Sequence, residues 1–497
     1  NLRSNDEDFF QNILSAGKGR QHADYIVGMN LSRAATMKMG SRVSVGRVRT
    51  VVLSLVCRRE LEILNFKPET MYGVQAKYVE GFNGTLFNSS EAKDSVSESD
   101  ESDEADDSVQ TGTIWFKTEE EAKKFINDTS RKGVITHQQS KRTESYSPSF
   151  YKLSTIQKEA GDKYGYNAEK TKDIIQSLYE AKLTTYPRTN CEYIDSTETL
   201  DVYLKSVSDV PNFRPFLEKI TPTDIERVRN TKKWVNDAKV KDSGHTAIIP
   251  TSEKVDFSKL SAEQKNIYEM IAKRYVAAFL PPLVQNKVDM VVTIDDSKTF
   301  VSRGKTLVSL GWAEFYDRSV NDVVLPNLNK GDSVSVEDFI IPQKTTQCPK
   351  RYTSSDLIAV GDNPTKYLED KTIKKSLKKL QIGTPATLSE IINQVVSRDK
   401  YATWAKEGKR EVMKPNKVGL AIYNNFKNIN FSLLEVDTTG TWEIMLKDIT
   451  EGVMQLSDFE NQVYQFVSSM ILEIKNSNMS TVVQDNGRVE IGECKKC

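Results

Sequence analysis

The chain has 497 residues, 38% hydrophobic and 28% charged, too long for one ordinary core, so about three or four domains are expected. No apolar run approaches the ~20 residues of a membrane span. The start Asn1-Leu2-Arg3-Ser4 does not read as a signal peptide, and five scattered cysteines form no disulfide framework, which fits a reducing, cytoplasmic setting. A formal charge of zero argues at first against a polyanionic partner, but it hides an imbalance: Glu91, Asp94, Glu98, Asp100, Glu101, Asp103, Glu104, Asp106 and Asp107 stand against Lys93 alone, leaving the rest of the chain net basic by about eight charges.

In chain order, residues 1–65 read as helical. Phe9, Phe10, Ile13 and Leu14 form an apolar face that residues 23–31 continue, and 44–64 form a longer helical stretch with Val51, Val52, Leu55, Val56, Leu61 and Ile63 inward. Residues 71–79, 111–116 and 133–138 read as strands, interrupted by the acidic run at 88–108, a solvated loop that buries nothing. A metal reading of that run fails for want of a glycine turn and a following strand. Helices return at 154–186, where Asn167 is a candidate N-cap and Ala168, Ile174, Ile175, Leu178 and Ala181 share a face. A helix at 261–279 ends at Pro281-Pro282. Strands at 287–294, 299–310 and 332–341 follow, then a link at 342–349. Helices dominate the remainder, including 457–475 with Phe459, Val463, Phe466, Met470 and Ile474 as its seam.

The order helical, β, helical, β, helical implies a nested architecture. The expected boundaries are a helical domain (1–66 and 346–485), a β arch (67–148 and 281–345), an inserted domain (149–280), and 486–497 as the start of a zinc ribbon.

The segment with most chemistry is Leu183-Thr184-Thr185-Tyr186-Pro187-Arg188-Thr189-Asn190-Cys191. Pro187 biases Tyr186 toward an extended backbone, and Arg188, always charged, can fork onto a phosphate. A phenol beside such a fork suits phosphodiester exchange through a protein ester. Four further segments join it. Arg20-Gln21-His22-Ala23-Asp24-Tyr25-Ile26-Val27-Gly28-Met29-Asn30-Leu31-Ser32-Arg33-Ala34 is followed by Ser44-Val45-Gly46-Arg47-Val48-Arg49-Thr50, where helix-start amides with Arg47 and Arg49 could hold phosphates. Gly244-His245-Thr246-Ala247-Ile248-Ile249-Pro250-Thr251 places a histidine before an apolar run, which taken alone reads as structural. Ile382-Gly383-Thr384-Pro385-Ala386-Thr387-Leu388-Ser389-Glu390-Ile391-Ile392, with Arg398 two turns further along, reads as a helix start with Pro385 near its first turn. Cys494-Lys495-Lys496-Cys497 is half of a zinc knuckle.

In order and across nearly the whole chain, these segments resemble the type IA DNA topoisomerases, and Pro187, Cys191 and Ile-Ile-Pro-Thr are more similar to the topoisomerase III branch than to topoisomerase I. The resemblance implies a multidomain α+β toroid: a Toprim domain and a helical domain below, closed by a β arch that carries a winged-helix-like tyrosine domain. It implies Tyr186 as nucleophile, Arg188 as its phosphate partner and His245 near the scissile phosphate. Arg20, Asp24, Ser44, Gly46, Arg47, Arg49, Gln176, Thr387 and Arg398 are implied to line a single-strand groove. Transient cleavage through a 5′-phosphotyrosine, strand passage and resealing without ATP follow from it, acting to relax or decatenate DNA.

The family's Toprim domain, with its Mg²⁺ site, falls before the position where this chain begins, and Zn²⁺ in a C-terminal ribbon is implied only by the half knuckle. The chain is therefore expected to be a fragment that cannot turn over alone. Asn190 stands where the motif usually has Asp, and His245-Thr246 where it has a doubled histidine. The implied partner is DNA, mainly single-stranded, on a bacterial chromosome or plasmid, with a helicase among possible associates and a monomeric state expected. The rival readings are a non-catalytic single-strand DNA-binding module and a tyrosine recombinase. The latter is disfavoured because Tyr186 precedes both His245 and Arg398.

Overall fold

The computed structural model describes residues 4–89, 112–367, 381–383, 387–408 and 410–482. The acidic run at 91–107, Thr384-Pro385-Ala386, and Cys494 with Cys497 lie outside them. The described chain packs around three main apolar clusters.

The first cluster gathers the two ends of the chain. Helix α1 (Ser4–Met39) buries Ala23, Val27, Leu31, Ala35 and Met39 at helical spacing. Its first turns differ from expectation: Phe9 and Phe10 are 50% and 57% exposed, and Ile13 and Leu14 are exposed as well, because among the described residues no element covers them. After an extended 42–46, α2 (Arg47–Leu64) begins three residues later than the sequence pattern suggested, since the Val45 amide donates to the Ser32 hydroxyl (2.8 Å) rather than within a helix. Val51, Val52, Leu55 and Val56 are buried, but Leu61 and Ile63 are only half-buried near its fraying end.

The chain then enters β structure. The expected strand 71–79 is broken at Gly73 into β1 (Thr70–Tyr72) and β2 (Gln75–Tyr78). A side chain at Gly73 would meet both Pro342 and Trp115 at 3.2 Å, so the backbone bends there and changes partners. Strand β3 (Asn83–Phe87) follows. Of the expected strand at 111–116, only isolated bridges at Thr113 and Phe116 form among the described residues. Helix α3 (Glu119–Asn127) carries a capping box of Thr118 and Glu121. Strand β4 (Lys132–Ser145) is far longer than the expected 133–138 and leads out of this region.

Seven helices then surround the second cluster: α4 (Leu153–Tyr164), α5 (Ala168–Glu180), α6 (Leu200–Ser206), α7 (Arg214–Leu217), α8 (Pro222–Arg229), α9 (Asp237–Ser243) and α10 (Ala262–Ala277). Trp234, Tyr268, Tyr275 and Phe279 are buried at its centre. On α5 the expected face is buried except Ala181, which lies past the helix end and is exposed.

Strand β5 (Leu283–Ile294) returns antiparallel to β4 along its full length and pairs with β6 (Lys298–Ser309). A single turn α11 (Trp312–Phe315) precedes β7 (Ser333–Ile340), which closes a barrel in the order β2-β3-β6-β5-β4-β7 around the third cluster. Strand β8 (Gln343–Thr345) pairs with β1, so the chain leaves the barrel where it entered.

The remainder rejoins the first cluster through α12 (Ser354–Asp362), α13 (Leu388–Ser397), a hairpin of β9 (Ala402–Glu407) and β10 (Arg410–Pro415), α14 (Lys417–Asn428), α15 (Val436–Thr450) and α16 (Leu456–Asn476). The hairpin breaks the expected run of helices. On α16 the seam runs through Phe459, Val463, Val467, Met470 and Ile474, with Val467 buried where Phe466 was expected and Phe466 packed at its margin.

Polar contacts join the second unit to the first. Lys152 pairs with Asp362 (2.9 Å), Lys158 with Asp356 (3.0 Å), and the Ala168 amide donates to the Ser354 hydroxyl (2.9 Å).

Candidate active site and nucleic-acid groove

Helix α5 aims the chain at Tyr186. Asn167 caps it by accepting from the Lys170 amide (2.9 Å), which fixes where the helix starts and hence where it ends. At the far end Lys182 takes φ of 61°, and the Leu183 amide donates back to the Leu178 carbonyl (2.9 Å), so the chain turns sharply. The following segment is pinned to the histidine segment sixty residues downstream. Thr184 bridges Pro250; the Thr185 amide donates to the Ile249 carbonyl (3.0 Å); the Thr185 hydroxyl donates to the Ala247 carbonyl (2.7 Å) and accepts from the Ile249 amide (3.0 Å). Buried Thr184, Pro187 and Thr189 anchor the strand on either side of the half-exposed Tyr186.

This pairing brings His245 to Tyr186, with ring centroids 4.7 Å apart and planes at 37°. Tyr179, the next-to-last residue of α5, packs edge-on against the Tyr186 ring at 5.5 Å and 79°. Arg188 is exposed and makes no hydrogen bond or ion pair among the described residues. Asn190 accepts from the Ser243 hydroxyl (2.9 Å), so it ties the tyrosine segment to the end of α9. Tyr186 therefore contacts the rings of Tyr179 and His245, and Arg188, two residues on, is exposed with no ion pair among the described residues.

The groove residues converge separately. Arg20, Asp24, Ser44, Gly46, Arg47, Arg49, Thr387 and Arg398 all line one open cavity of about 680 Å³, formed by α1, the 42–46 segment, the start of α2 and the flanks of α13. Gln176 does not line it; it remains on α5, donating to Glu180 (2.9 Å), because α5 belongs to the second cluster. Gly46 is the N-cap of α2 without a side-chain cap, which leaves first-turn amides facing the cavity.

The arginines are not equivalent. Arg47 is buried and clamped by Asp24 (2.7 Å) and Glu443 (3.1 Å), and Glu443 also holds Arg20 (2.5 Å). Burial would push the Arg47 guanidinium down, but Asp24 and Glu443 outweigh it and raise it. Arg49 lies 3.3 Å from buried Asp399, whose carboxyl is pushed up by burial against the opposing pull of Arg49. Arg33 and Arg42 also line the cavity, and Arg33 and Arg398 are exposed with no ion pair among the described residues. The sequence reading assigned no role to Arg33 or Arg42. Arg33 was within reach, since the four-residue steps Arg20, Asp24, Gly28 and Ser32 lay the cavity along one face of α1, beside Met29 and Arg33.

The family model described as DNA topoisomerase matches residues 8–461. The chain belongs to the DNA topoisomerase family. Its character is type IA and topoisomerase III-like: it is 28% identical over 485 residues to DNA topoisomerase 3 of Bacillus cereus (94% of this chain, 62% of that protein), 30% identical over 482 residues to that of Bacillus licheniformis (94% and 62%), and 28% identical over 491 residues to that of Bacillus subtilis (96% and 63%). The chain thus spans about 62% of the length of these curated relatives. The full-length topoisomerase I of Thermotoga maritima shares the fold, with a TM-score of 0.61 and 22% identity over 93% of this chain and 69% of that one.

Among the described residues no group of three His, Cys, Asp or Glu side chains could hold a metal ion, so none of them supplies a ligand set for the expected Mg²⁺. Among the same residues, no helix is long and apolar enough to cross a membrane.

Proposed function

We propose that this chain supplies the nucleophile and much of the DNA-binding surface of a type IA topoisomerase reaction on single-stranded DNA. The observation that carries it is the contact of Tyr186 with His245, made by two motif segments sixty residues apart and paired backbone to backbone beside an unpaired Arg188.

A phenol with an ordinary pKa of about 10 is protonated at neutral pH, so it must lose its proton as it attacks. The Tyr186 oxygen forms a bond to phosphorus while the bond from phosphorus to the 3′ oxygen breaks. The phenolic proton is given up, the departing 3′ oxygen takes one, and the balance is neutral. In this reading Arg188 and His245 balance the charge that builds on the non-bridging oxygens. Contacts with Tyr179 and His245 restrict the Tyr186 ring, which favours a fixed line of attack. One ester replaces another, so the bond energy is conserved and no nucleotide is consumed. In the reverse step the 3′ hydroxyl attacks the phosphotyrosine and releases Tyr186.

The groove serves the strand leading to this site. Arg33 and Arg398 are available to phosphates, the α2 amides add a positive helix end, and Asp24, Glu443 and Asp399 hold the remaining arginines in place. Relaxation of negative supercoils and decatenation follow as the expected outcomes of repeated cleavage, strand passage and resealing.

The test incubates wild type and Tyr186→Phe with 3′-labelled single-stranded DNA, Mg²⁺ and a separately produced Toprim domain, then reads labelled protein on denaturing gels. Adduct with wild type alone is expected. Tight binding by both proteins with no adduct would make the chain a binding module instead.

A further inference from the structure

Away from the groove, the ribbon β4–β5–β6 carries three lysines in a row across its adjacent strands. Lys141 stands directly opposite Lys287, and Lys287 directly opposite Lys305. Directly opposed residues in antiparallel strands share a face with their side chains in contact range, and like charges there are destabilising. Arg303 lies two residues along on the same face, opposite Asp289 (3.5 Å). Asp289 is the only carboxylate at a paired position of this stretch of the face. Burial raises its carboxyl against the opposing pull of Arg303, Lys287 and His137. Neither Lys287 nor Lys305 forms an ion pair among the described residues. The other face of the ribbon is accounted for: Met290, Val292 and Phe300 fill the barrel, and Gly304 is covered by Leu325.

We propose that this face of the ribbon is a second DNA-binding surface, taking the phosphate backbone across Lys141, Lys287 and Lys305, apart from the arginine groove. Charge complementarity selects the occupant. Three adjacent strands span ~10 Å, over which one DNA strand presents about three phosphate charges. An extended polyanion crossing the strands would meet the row without any change in the sheet. Lysine suits this use, because a flexible point charge follows a backbone without reading bases. The ribbon leads from the barrel to the unit bearing Tyr186, so the surface would hold a DNA segment beside the one being cleaved. This rests on the reading of the chain as a DNA topoisomerase.

The test is the salt dependence of plasmid duplex binding by the full chain, wild type against Lys287→Glu. Reversing the middle charge creates two favourable cross-strand pairs, so a Tm at or above wild type is expected. The slope of log K against log salt should flatten by about 2, with affinity at low salt down about tenfold. Lys205→Glu, an exposed reversal on α6, should leave the slope unchanged. Lys305→Gln should give a flattening of about 1 without introducing any negative charge. A wild-type slope in Lys287→Glu, from a protein that still binds DNA and forms the Tyr186 adduct, overturns this proposal alone. No DNA binding by wild type overturns it together with the reading beneath it.

Discussion

At the scale of single residues, the arginines differ: Arg33, Arg188 and Arg398 are exposed with no ion pair among the described residues, whereas Arg47 is buried and clamped by Asp24 and Glu443. Arg188 is exposed and unpaired among the described residues, so removing it should affect chemistry more than folding. Arg188→Ala is expected to slow adduct formation by about 100-fold or more, the usual cost of one lost oxyanion donor, with single-strand affinity changed only a few-fold; quenched-flow gels would measure the rate. Glu443 is the opposite case. It is 5% exposed and serves both Arg20 and Arg47. Glu443→Gln leaves buried Arg47 with the exposed Asp24 as its one remaining carboxylate and should cost about 2 kcal/mol, read as a lower denaturation midpoint. Arg47 shows where sequence stops informing. Its place near a helix start was legible, but its clamp is 396 residues away and its burial could not be read from local pattern.

At the scale of elements, the junction of α4 with α12 sets how the tyrosine unit sits on the helical one. Asp356 is the hub: it caps α12 through the Thr353 amide (2.9 Å) and pairs with Lys158 (3.0 Å) and Arg410 (2.7 Å). Burial pushes its carboxyl up, but the Thr353 amide and Lys158 outweigh that and hold it below the usual range. A depressed carboxyl contributes stability that is present above its unfolded value of about 3.9 and is lost as pH falls through the lower folded value. Asp356→Asn should therefore destabilise by about 2 kcal/mol at neutral pH, with the difference closing below about pH 4 in urea titrations. Gly419, in the first turn of α14, has a different role. A Cβ there would stand 2.2 Å from the Tyr401 carbonyl oxygen, so Gly419→Ala should cost about 2 kcal/mol or more by forcing α14 off the hairpin.

The elements also show what kinds of pattern could be read. The cap and buried face of α5 were legible, since one asparagine and a 3.6-residue repeat specify them locally. The break at Gly73 was not, because its cause is Trp115 and Pro342 arriving from elsewhere. Nor was the β9–β10 hairpin, whose alternation is blurred by Lys406, Glu407, Arg410 and Glu411 near its turn.

At the scale of the whole molecule, nesting makes the catalytic geometry. Strands β4 and β5 run out and back together, so the tyrosine unit hangs on a paired ribbon and is otherwise held to the helical platform largely by polar contacts. The convergence of Tyr186 and His245 was expected only through the family resemblance; the backbone pairing of their segments depends on a turn and a register that no local pattern declares.

The central claim is that Tyr186, and not its neighbour Tyr179, becomes the DNA ester. Both rings are in contact, 5.5 Å apart, so the choice is chemical rather than positional at low resolution. The direct measurement is mass spectrometry of the adduct after nuclease trimming and proteolysis. The account expects the nucleotide mass on the peptide containing Tyr186, linked through a 5′ phosphate, with a free 3′ hydroxyl on the other DNA end. The mass on any other residue, or a 3′-linked nucleotide on Tyr186, would contradict it.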